Sequence, residues 1–178
     1  MKDSDVGVGN EMPEILFNQE DVFVVTPRLV ADLKQRALAS PRRRARVCLH
    51  RTTDHPTQEM LIVFHRESFM PPHRHPQGKS ESYHLVEGSM RVFLFDDDGR
   101  MLRSLALEAG KDFLYRLSAP LWHMPVPTSE WLVYHEVYSG PFIKTEDVEF
   151  APWAPPEPSP AAAAGYVARL LAECADVS

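Results

Sequence analysis

Short apolar segments separated by polar turns dominate the middle of the chain. Each is rich in β-branched and aromatic residues and is bounded by turn signals, a pattern typical of β-strands. Because no helical pattern separates them, the chain is predicted to form an antiparallel all-β domain, either a sandwich, a jelly roll or a barrel. The segments are residues 44–50, 59–66, 82–88, 90–96, 101–107, 112–117 and 131–138.

Helical patterns flank the strands on both sides. Thr26 is suited to capping a helix, Pro27 to its first position, and Ser40 before Pro41 to its end. The second pattern spans residues 161–174, after the proline-rich segment 151–160. Each helix is predicted to carry one apolar face. These faces comprise Leu29, Val30, Leu33 and Ala37 in the first, and Tyr166, Val167, Leu170, Leu171 and Cys174 in the second.

These patterns divide the chain into four parts. Residues 1–12 are polar and without periodicity, which predicts disorder. Residues 13–41 form an N-terminal strand and helix segment, and residues 42–150 form the β-barrel. Residues 151–178 form a proline-rich tail and the C-terminal helix.

Composition narrows the class of protein. A chain of 178 residues has room for one ordinary domain. Its net charge of −6 and pI near 5.7 argue against a nucleic-acid-binding protein. Cys48 and Cys174 lie too far apart in sequence to form a CxxC motif and are interpreted as reduced thiols. The N-terminus has no signal-peptide pattern and no long apolar run occurs, so a cytoplasmic protein without membrane insertion is expected.

Histidines cluster in the segment PPHRHPQGKSESYHLVEG, residues 71–88. On an extended chain, His73 and His75 point to the same side because they are two residues apart. Glu81 follows after a short loop, and its carboxylate could return to the same point. An HxH pair alone is a weak signal, since two solvated side chains would give the same pattern. A metal site would need a further ligand from elsewhere in the chain.

His123 is the best candidate for that further ligand. It lies between Pro120 and Pro125, which stiffen the backbone, and on an adjacent later strand in any hairpin ordering. Three imidazoles and one carboxylate would hold one divalent transition metal and leave coordination positions open. Zn, Fe, Mn and Ni all suit this set.

These residues resemble the two sequence motifs of the cupin superfamily. His73, His75, Glu81 and Gly88 fall on the positions of the first motif, and PLWH, with His123, resembles the second. The five residues between His75 and Glu81 are one or two more than is usual. The resemblance implies a cupin-type double-stranded β-helix, that is, a jelly-roll barrel, and a metal bound by the three histidines and the glutamate.

A narrower resemblance covers residues 40–153. The segments SPRRRARVCLHRTTDHPTQEMLIVFHRESFMPPHRHP, VFLFDDDGR and APLWH occur in the order found in WbuC-type cupin-fold metalloproteins of bacterial polysaccharide (O-antigen) gene clusters. That resemblance implies a place in polysaccharide biosynthesis without fixing a reaction.

Other polar residues have open roles. One of His135 and Glu136 must face inward from its strand, where it would act as an acid, a base or a partner of a metal ligand. A core polar residue is the equal alternative. His84 is interpreted as structural because it faces away from Glu81. Arg44 and Arg46, in the run RRRAR, either flank a solvated junction or clamp a phosphate.

Three hypotheses follow for function. The first is a metal-dependent isomerase, lyase or dioxygenase that acts on a sugar or nucleotide-sugar. The second is a non-catalytic metallo-cupin that binds a carbohydrate or small molecule, and the third is a cupin whose metal is structural. The expected partners are a small-molecule or sugar ligand and a second copy of the chain in a homodimer.

Overall fold

The computed structural model describes residues 12–157 and 159–175, so the disorder predicted for residues 1–12 lies, except for Met12, outside the described residues. The described chain forms eleven strands and three helices. The helices are α1 (Pro27–Ala39), α2 (Lys144–Asp147) and α3 (Pro160–Ala175). The strands are β1 (Ile15–Phe17), β2 (Arg44–Cys48), β3 (Thr57–His65), β4 (His73–Arg74), β5 (Glu81–Glu87), β6 (Ser89–Phe95), β7 (Met101–Glu108), β8 (Leu114–Leu117), β9 (Trp122–Pro127), β10 (Trp131–Ser139) and β11 (Glu149–Phe150).

The strands form two sheets that face each other. One has the order β1-β2-β3-β10-β5-β8 and the other the order β11-β4-β9-β6-β7. All pairings are antiparallel except that between β1 and β2. This arrangement is a jelly-roll barrel with one helix at each end of the chain, and it confirms the predicted fold class.

Apolar side chains form three layers around the sheets. The layer between the two sheets includes Phe64, Tyr83 and Tyr134. The second layer packs α1, through Leu33 and Ala37, against the outer face of the six-stranded sheet. The third packs α3 against the outer face of the five-stranded sheet. The apolar faces predicted for the two terminal helices are therefore the faces that cover the barrel. No helix within the described part of the chain has the length and apolar character to cross a membrane.

Two glycines sit where the backbone requires them. Gly88, between β5 and β6, has a φ of +80°, and a Cβ there would lie 2.0 Å from the carbonyl oxygen of Trp131. Gly99, in the turn between β6 and β7, also has a φ of +80° and lies under the ring of Trp153. Both positions exclude other residues through backbone conformation and close packing.

The described chain has four strands outside the seven segments of the sequence pattern, namely β1, β4, β9 and β11. Of these, β1 lies in the strand and helix segment predicted for residues 13–41. β1 is three residues long and pairs in parallel with β2. β9 contains Pro125 and Pro127, which normally argue against a strand. It pairs with β6 along its length but with β4 only at His123. The prolines are tolerated because β9 is effectively an edge strand beyond that residue.

Candidate metal centre

The histidine centre, defined as His73, His75, Glu81 and His123, joins the two sheets. His73 on β4 is the register partner of His123 on β9, so these two side chains lie side by side in the five-stranded sheet. Glu81 begins β5 in the opposite sheet, and His75 lies between the two strands. The fold thus brings together residues that are up to 50 positions apart in sequence.

All four side chains are buried. Their exposed fractions are 7% for His73, 9% for His75, 1% for Glu81 and 0% for His123. One nitrogen atom from each of the three imidazoles lies within 4.8 Å of the others. The Glu81 carboxylate places Oε1 2.9 Å from His123 Nε2 and Oε2 3.2 Å from His75 Nε2. The structure therefore brings all four predicted ligands to one point.

Backbone carbonyls fix which nitrogen of each imidazole faces that point. The Nδ1 atoms of His73, His75 and His123 lie 3.0, 2.6 and 3.1 Å from the carbonyl oxygens of Pro71, Asp147 and Leu121. A carbonyl only accepts hydrogen bonds, so each Nδ1 carries the proton. In the neutral rings this leaves the Nε2 lone pairs for the shared centre, the arrangement found in histidine metal ligands.

Two atoms of the centre lack a hydrogen-bond partner among the described residues. They are Nε2 of His123 and Oε1 of Glu81, and both are buried. Although the two atoms are 2.9 Å apart, they form no hydrogen bond with each other. Buried polar atoms without partners are costly, and two facing lone pairs repel unless a cation lies between them. Neighbouring ligands about 2.1 Å from one metal ion at right angles would be about 3 Å apart. The residues therefore fit a metal ion.

The pKa values show how strongly these groups interact. Burial and the charges of the neighbouring histidines lower the pKa of His73 to about 3. Burial would raise the pKa of Glu81, but His123 and His75 hold it well below its usual range. Burial would similarly lower the pKa of His75, yet the hydrogen bond and charge of Glu81 raise it. The Glu81 carboxylate and the imidazoles thus interact directly within the buried centre.

A cavity of about 360 Å³ opens beside the histidine centre. Glu136 lines it, whereas His135, the next residue on β10, is not among the lining residues. Burial and the charge of Glu81 raise the pKa of Glu136 to about 8. His135 lies on the opposite face of β10, in register with His84 and 3.7 Å from Glu59. Of the two predicted acid or base residues, the structure places only Glu136 at the cavity.

Arg44 and Arg46 line the same cavity from β2. Arg44 forms an ion pair with Glu157, and its Nη1 donates a hydrogen bond to the carbonyl oxygen of Phe69 at 2.8 Å. Arg46 is partly buried, and its Nε has no hydrogen-bond partner among the described residues. The two arginines thus share a location but differ in their partners.

The remaining histidines lie away from the centre. His84 is exposed on the outer face of β5, as its spacing from Glu81 predicts. His50 lines the cavity, and its Nδ1 lies 3.0 Å from the carbonyl oxygen and at 3.0 Å from the amide nitrogen of Glu59. His65 packs edge-on against Trp131 and is not among the cavity-lining residues.

Sequence reasoning missed two residues that support the centre. Tyr83 donates a hydrogen bond from its hydroxyl to Glu81 Oε2 at 2.9 Å. The backbone carbonyl oxygen of Asp147 accepts a hydrogen bond from Nδ1–H of His75. The Asp147 carboxylate accepts hydrogen bonds from the Tyr138 hydroxyl and the Ile143 amide and forms an ion pair with Lys79. The two-residue spacing of Glu81 and Tyr83 on one strand face is a signal for the first. No sequence signal connects Asp147 to His75, which lies 72 positions earlier.

Two solved structures with TM-scores of 0.50 or more share the fold of this chain. The capsular polysaccharide assembling protein CapF from Staphylococcus aureus aligns with 62% of this chain and 32% of its own, at 13% identity and a TM-score of 0.53. Protein SO0799 from Shewanella oneidensis aligns with 60% of this chain and 72% of its own, at 10% identity and a TM-score of 0.50. An oxalate oxidase in complex with glycolate aligns with 64% of this chain and 57% of its own, at 15% identity and a TM-score of 0.49.

Comparisons of the sequence alone do not assign the chain to a family of known function. The profile of a domain of unknown function, DUF6016, matches residues 25–107, which is less than half of the chain. No curated protein matches the sequence significantly. The two facing sheets and the likeness to solved cupin structures nevertheless agree with the motifs read from the sequence. The chain has the cupin fold, with a buried three-histidine group whose nitrogen atoms lie close enough together to hold a metal ion.

Proposed function

We propose that the protein is a metal-dependent cupin enzyme that acts on a sugar or nucleotide-sugar in polysaccharide biosynthesis, as an isomerase, lyase or dioxygenase. His73, His75, Glu81 and His123 would hold one divalent transition metal. The observation that carries the proposal is the unpartnered pair of His123 Nε2 and Glu81 Oε1, 2.9 Å apart in a buried site. A cation between them would remove the free-energy cost of burying two polar atoms without hydrogen-bond partners.

The metal, when bound, would supply Lewis-acid chemistry to a substrate oxygen. The protein supplies the remaining parts. Tyr83 orients the Glu81 carboxylate through its hydrogen bond, and the backbone carbonyls keep each imidazole in one tautomer. Both effects preorganise the ligands before a substrate arrives.

Glu136 is proposed as the acid or base of the reaction. It lines the cavity, and because its pKa is raised to about 8 it is mostly protonated at neutral pH. A protonated carboxyl group beside a bound substrate can donate a proton, and its conjugate base can accept one. This residue favours catalysis over ligand binding alone. Replacement by Gln should abolish turnover while leaving metal content unchanged.

The substrate class rests on resemblance. The likeness of residues 40–153 to WbuC-type cupins suggests polysaccharide assembly, and CapF, which shares the fold, is named for the same process. The cavity of about 360 Å³ has room for a monosaccharide or a portion of a nucleotide-sugar.

Elemental analysis of purified protein tests the metal centre. The wild type should contain close to one equivalent of a divalent transition metal, and His73→Ala/His123→Ala should lose it. The matched control is His84→Ala/His135→Ala, which removes two histidines from the outer face of the same barrel. Equal metal in all three proteins, or none after reconstitution with Fe, Mn, Ni and Zn, would overturn the proposal.

A further inference from the structure

We propose that Arg46 binds the anionic group, a carboxylate or a phosphate, of the ligand whose hydroxyl oxygens reach the histidine centre. This inference rests on the proposed function and narrows its substrate to a sugar acid or a sugar phosphate. It is carried by the partners, the position and the surroundings of the Arg46 guanidinium.

Arg46 brings a positive charge to the cavity wall. In the described part of the chain it forms no ion pair, and its buried Nε has no hydrogen-bond partner. Its charge acts on the Cys48 thiol, whose pKa is raised by burial and lowered in part by Arg46, and on the Glu136 carboxyl group, whose raised pKa it partly lowers. Neither group forms an ion pair with the guanidinium, so the charge of Arg46 remains for a ligand.

The two arginines beside it are already engaged. Arg44 is paired with Glu157, which approaches from the C-terminal tail, and Arg42 is paired with Glu14, which precedes β1. Both carboxylates line the cavity, as do both arginines. Since neutralised pairs offer little attraction to an incoming anion, anion binding at this wall falls to Arg46.

The strand register places Arg46 at the far side of Glu136 from the histidine centre. Arg46 is the partner of Ile62, and Ile62 is the partner of Tyr134, two residues before Glu136 on the same face of β10. The backbone positions of Arg46 and Glu136 are therefore separated by two inter-strand spacings of about 4.8 Å each. Along the strand direction they differ by two residues, or about 6.7 Å. Two residues further along β10, Tyr138 is the partner of Glu81.

A ligand that spans this row would meet three different groups in order. Its chelating oxygens would lie at the histidine centre, its middle over the Glu136 carboxyl group and its anionic end on Arg46. A guanidinium pairs with carboxylate and phosphate through two parallel hydrogen bonds, which are strong when water is excluded. The same charge would also set the orientation of the ligand, so that one particular carbon faces Glu136.

Isothermal titration calorimetry on the metal-loaded protein tests this inference with three probes. D-glucuronate carries a carboxylate, D-glucose 6-phosphate carries a phosphate, and D-glucose carries neither. One of the two anionic probes should bind on the order of 10-fold or more tightly than glucose, as expected for a charge-assisted hydrogen bond. Which of them binds identifies the anionic group.

Two variants give the experiment its controls. Arg46→Gln should abolish the preference for the anionic probe. Arg44→Gln/Glu157→Gln, which removes a neighbouring charge pair together and leaves the net charge unchanged, should retain it. Thermal unfolding and metal analysis of each variant confirm that fold and metal centre are intact.

A preference that persists in Arg46→Gln, equal affinity of the wild type for all three probes, or no binding of either anion to metal-loaded protein would overturn the inference. None of these results touches the metal centre itself. Loss of the proposed function would instead appear as the absence of metal in the wild type.

Discussion

The two ends of the cavity differ in how far their charged and polar groups are paired within the fold. At the histidine centre, four buried side chains converge on a point where two of their polar atoms have no partner. At the arginine edge, defined as Arg42, Arg44 and Arg46 with Glu14 and Glu157, two of the three cations are neutralised by carboxylates. A group that the fold satisfies stabilises the fold, whereas a group that it leaves unsatisfied is available to something else. The difference separates residues that hold the barrel together from residues that bind.

The largest effect should come from removing the carboxylate of the histidine centre. Glu81→Ala leaves three imidazoles and should weaken metal binding by more than the 10–100-fold typical of outer partners of metal ligands. Glu157→Ala, at the arginine edge, should leave metal affinity unchanged. Competition with a chromogenic chelator measures both constants. Equal metal affinity of Glu81→Ala and the wild type would remove Glu81 from the ligand set.

The second effect is a pH dependence confined to the histidine centre. The pKa of His73 is lowered from 6.5 to about 3 in the folded protein. Between these pH values His73 is protonated in the unfolded chain and neutral in the native state. Stability of the metal-free protein is therefore fully present above pH 6.5 and is lost as the pH falls toward 3. The slope is about 1.4 kcal/mol per pH unit for one proton.

The lowered pKa of Glu81 acts in the same direction below pH 4.5, and the raised pKa of His75 opposes both. Urea unfolding at a series of pH values measures the sum. His73→Gln should flatten the curve between pH 6 and pH 4. A slope that survives this substitution would assign the acid sensitivity to other groups.

The third effect distinguishes the two arginines by stability. Arg44→Gln breaks an ion pair and a hydrogen bond to a backbone carbonyl and should lower the free energy of unfolding by about 1–3 kcal/mol. Arg46→Gln removes a cation without a carboxylate partner and should cost less than about 1 kcal/mol. Urea unfolding at neutral pH makes the comparison. A larger loss for Arg46→Gln would place it among the structural residues.

The smallest effect concerns the support of Glu81. Tyr83→Phe removes the hydroxyl that orients the Glu81 carboxylate and should weaken metal binding by about 10-fold. Tyr115→Phe is the matched control, because Tyr115 packs against Tyr83 and its hydroxyl has no hydrogen-bond partner within the described residues. Equal metal affinity in the two variants would show that the hydroxyl of Tyr83 only fills space.

The sequence predicts most of this architecture because strand and helix periodicity report which faces are buried. The apolar faces of α1 and α3 and the convergence of His73 with His75 all follow from local spacing. The pattern does not indicate β9 because its two prolines argue against a strand. They fit in β9 because β4 pairs with it only at His123, which leaves one edge of β9 unpaired beyond that residue.

Periodicity does not indicate which residues line the cavity or which partners they have. It indicates that either His135 or Glu136 faces inward, but the choice depends on the register of β10 against two other strands. Arg44 and Arg46 share a strand face by their spacing, yet only the approach of Glu157, 113 positions later, distinguishes them. Long-range partners of this kind carry no local signal.

The location of the histidine centre between the two sheets has a consequence for how quickly a metal exchanges. A bound ion would cross-link β4 and β9 to β5, and with exposures of 0–9% its ligands are largely shielded from bulk water. Departure of the ion would require four preorganised ligands on different strands to release it, so exchange should be slow. The metal in the cell would then be decided when the chain folds, by which ion is abundant at that moment, more than by the order of affinities at equilibrium.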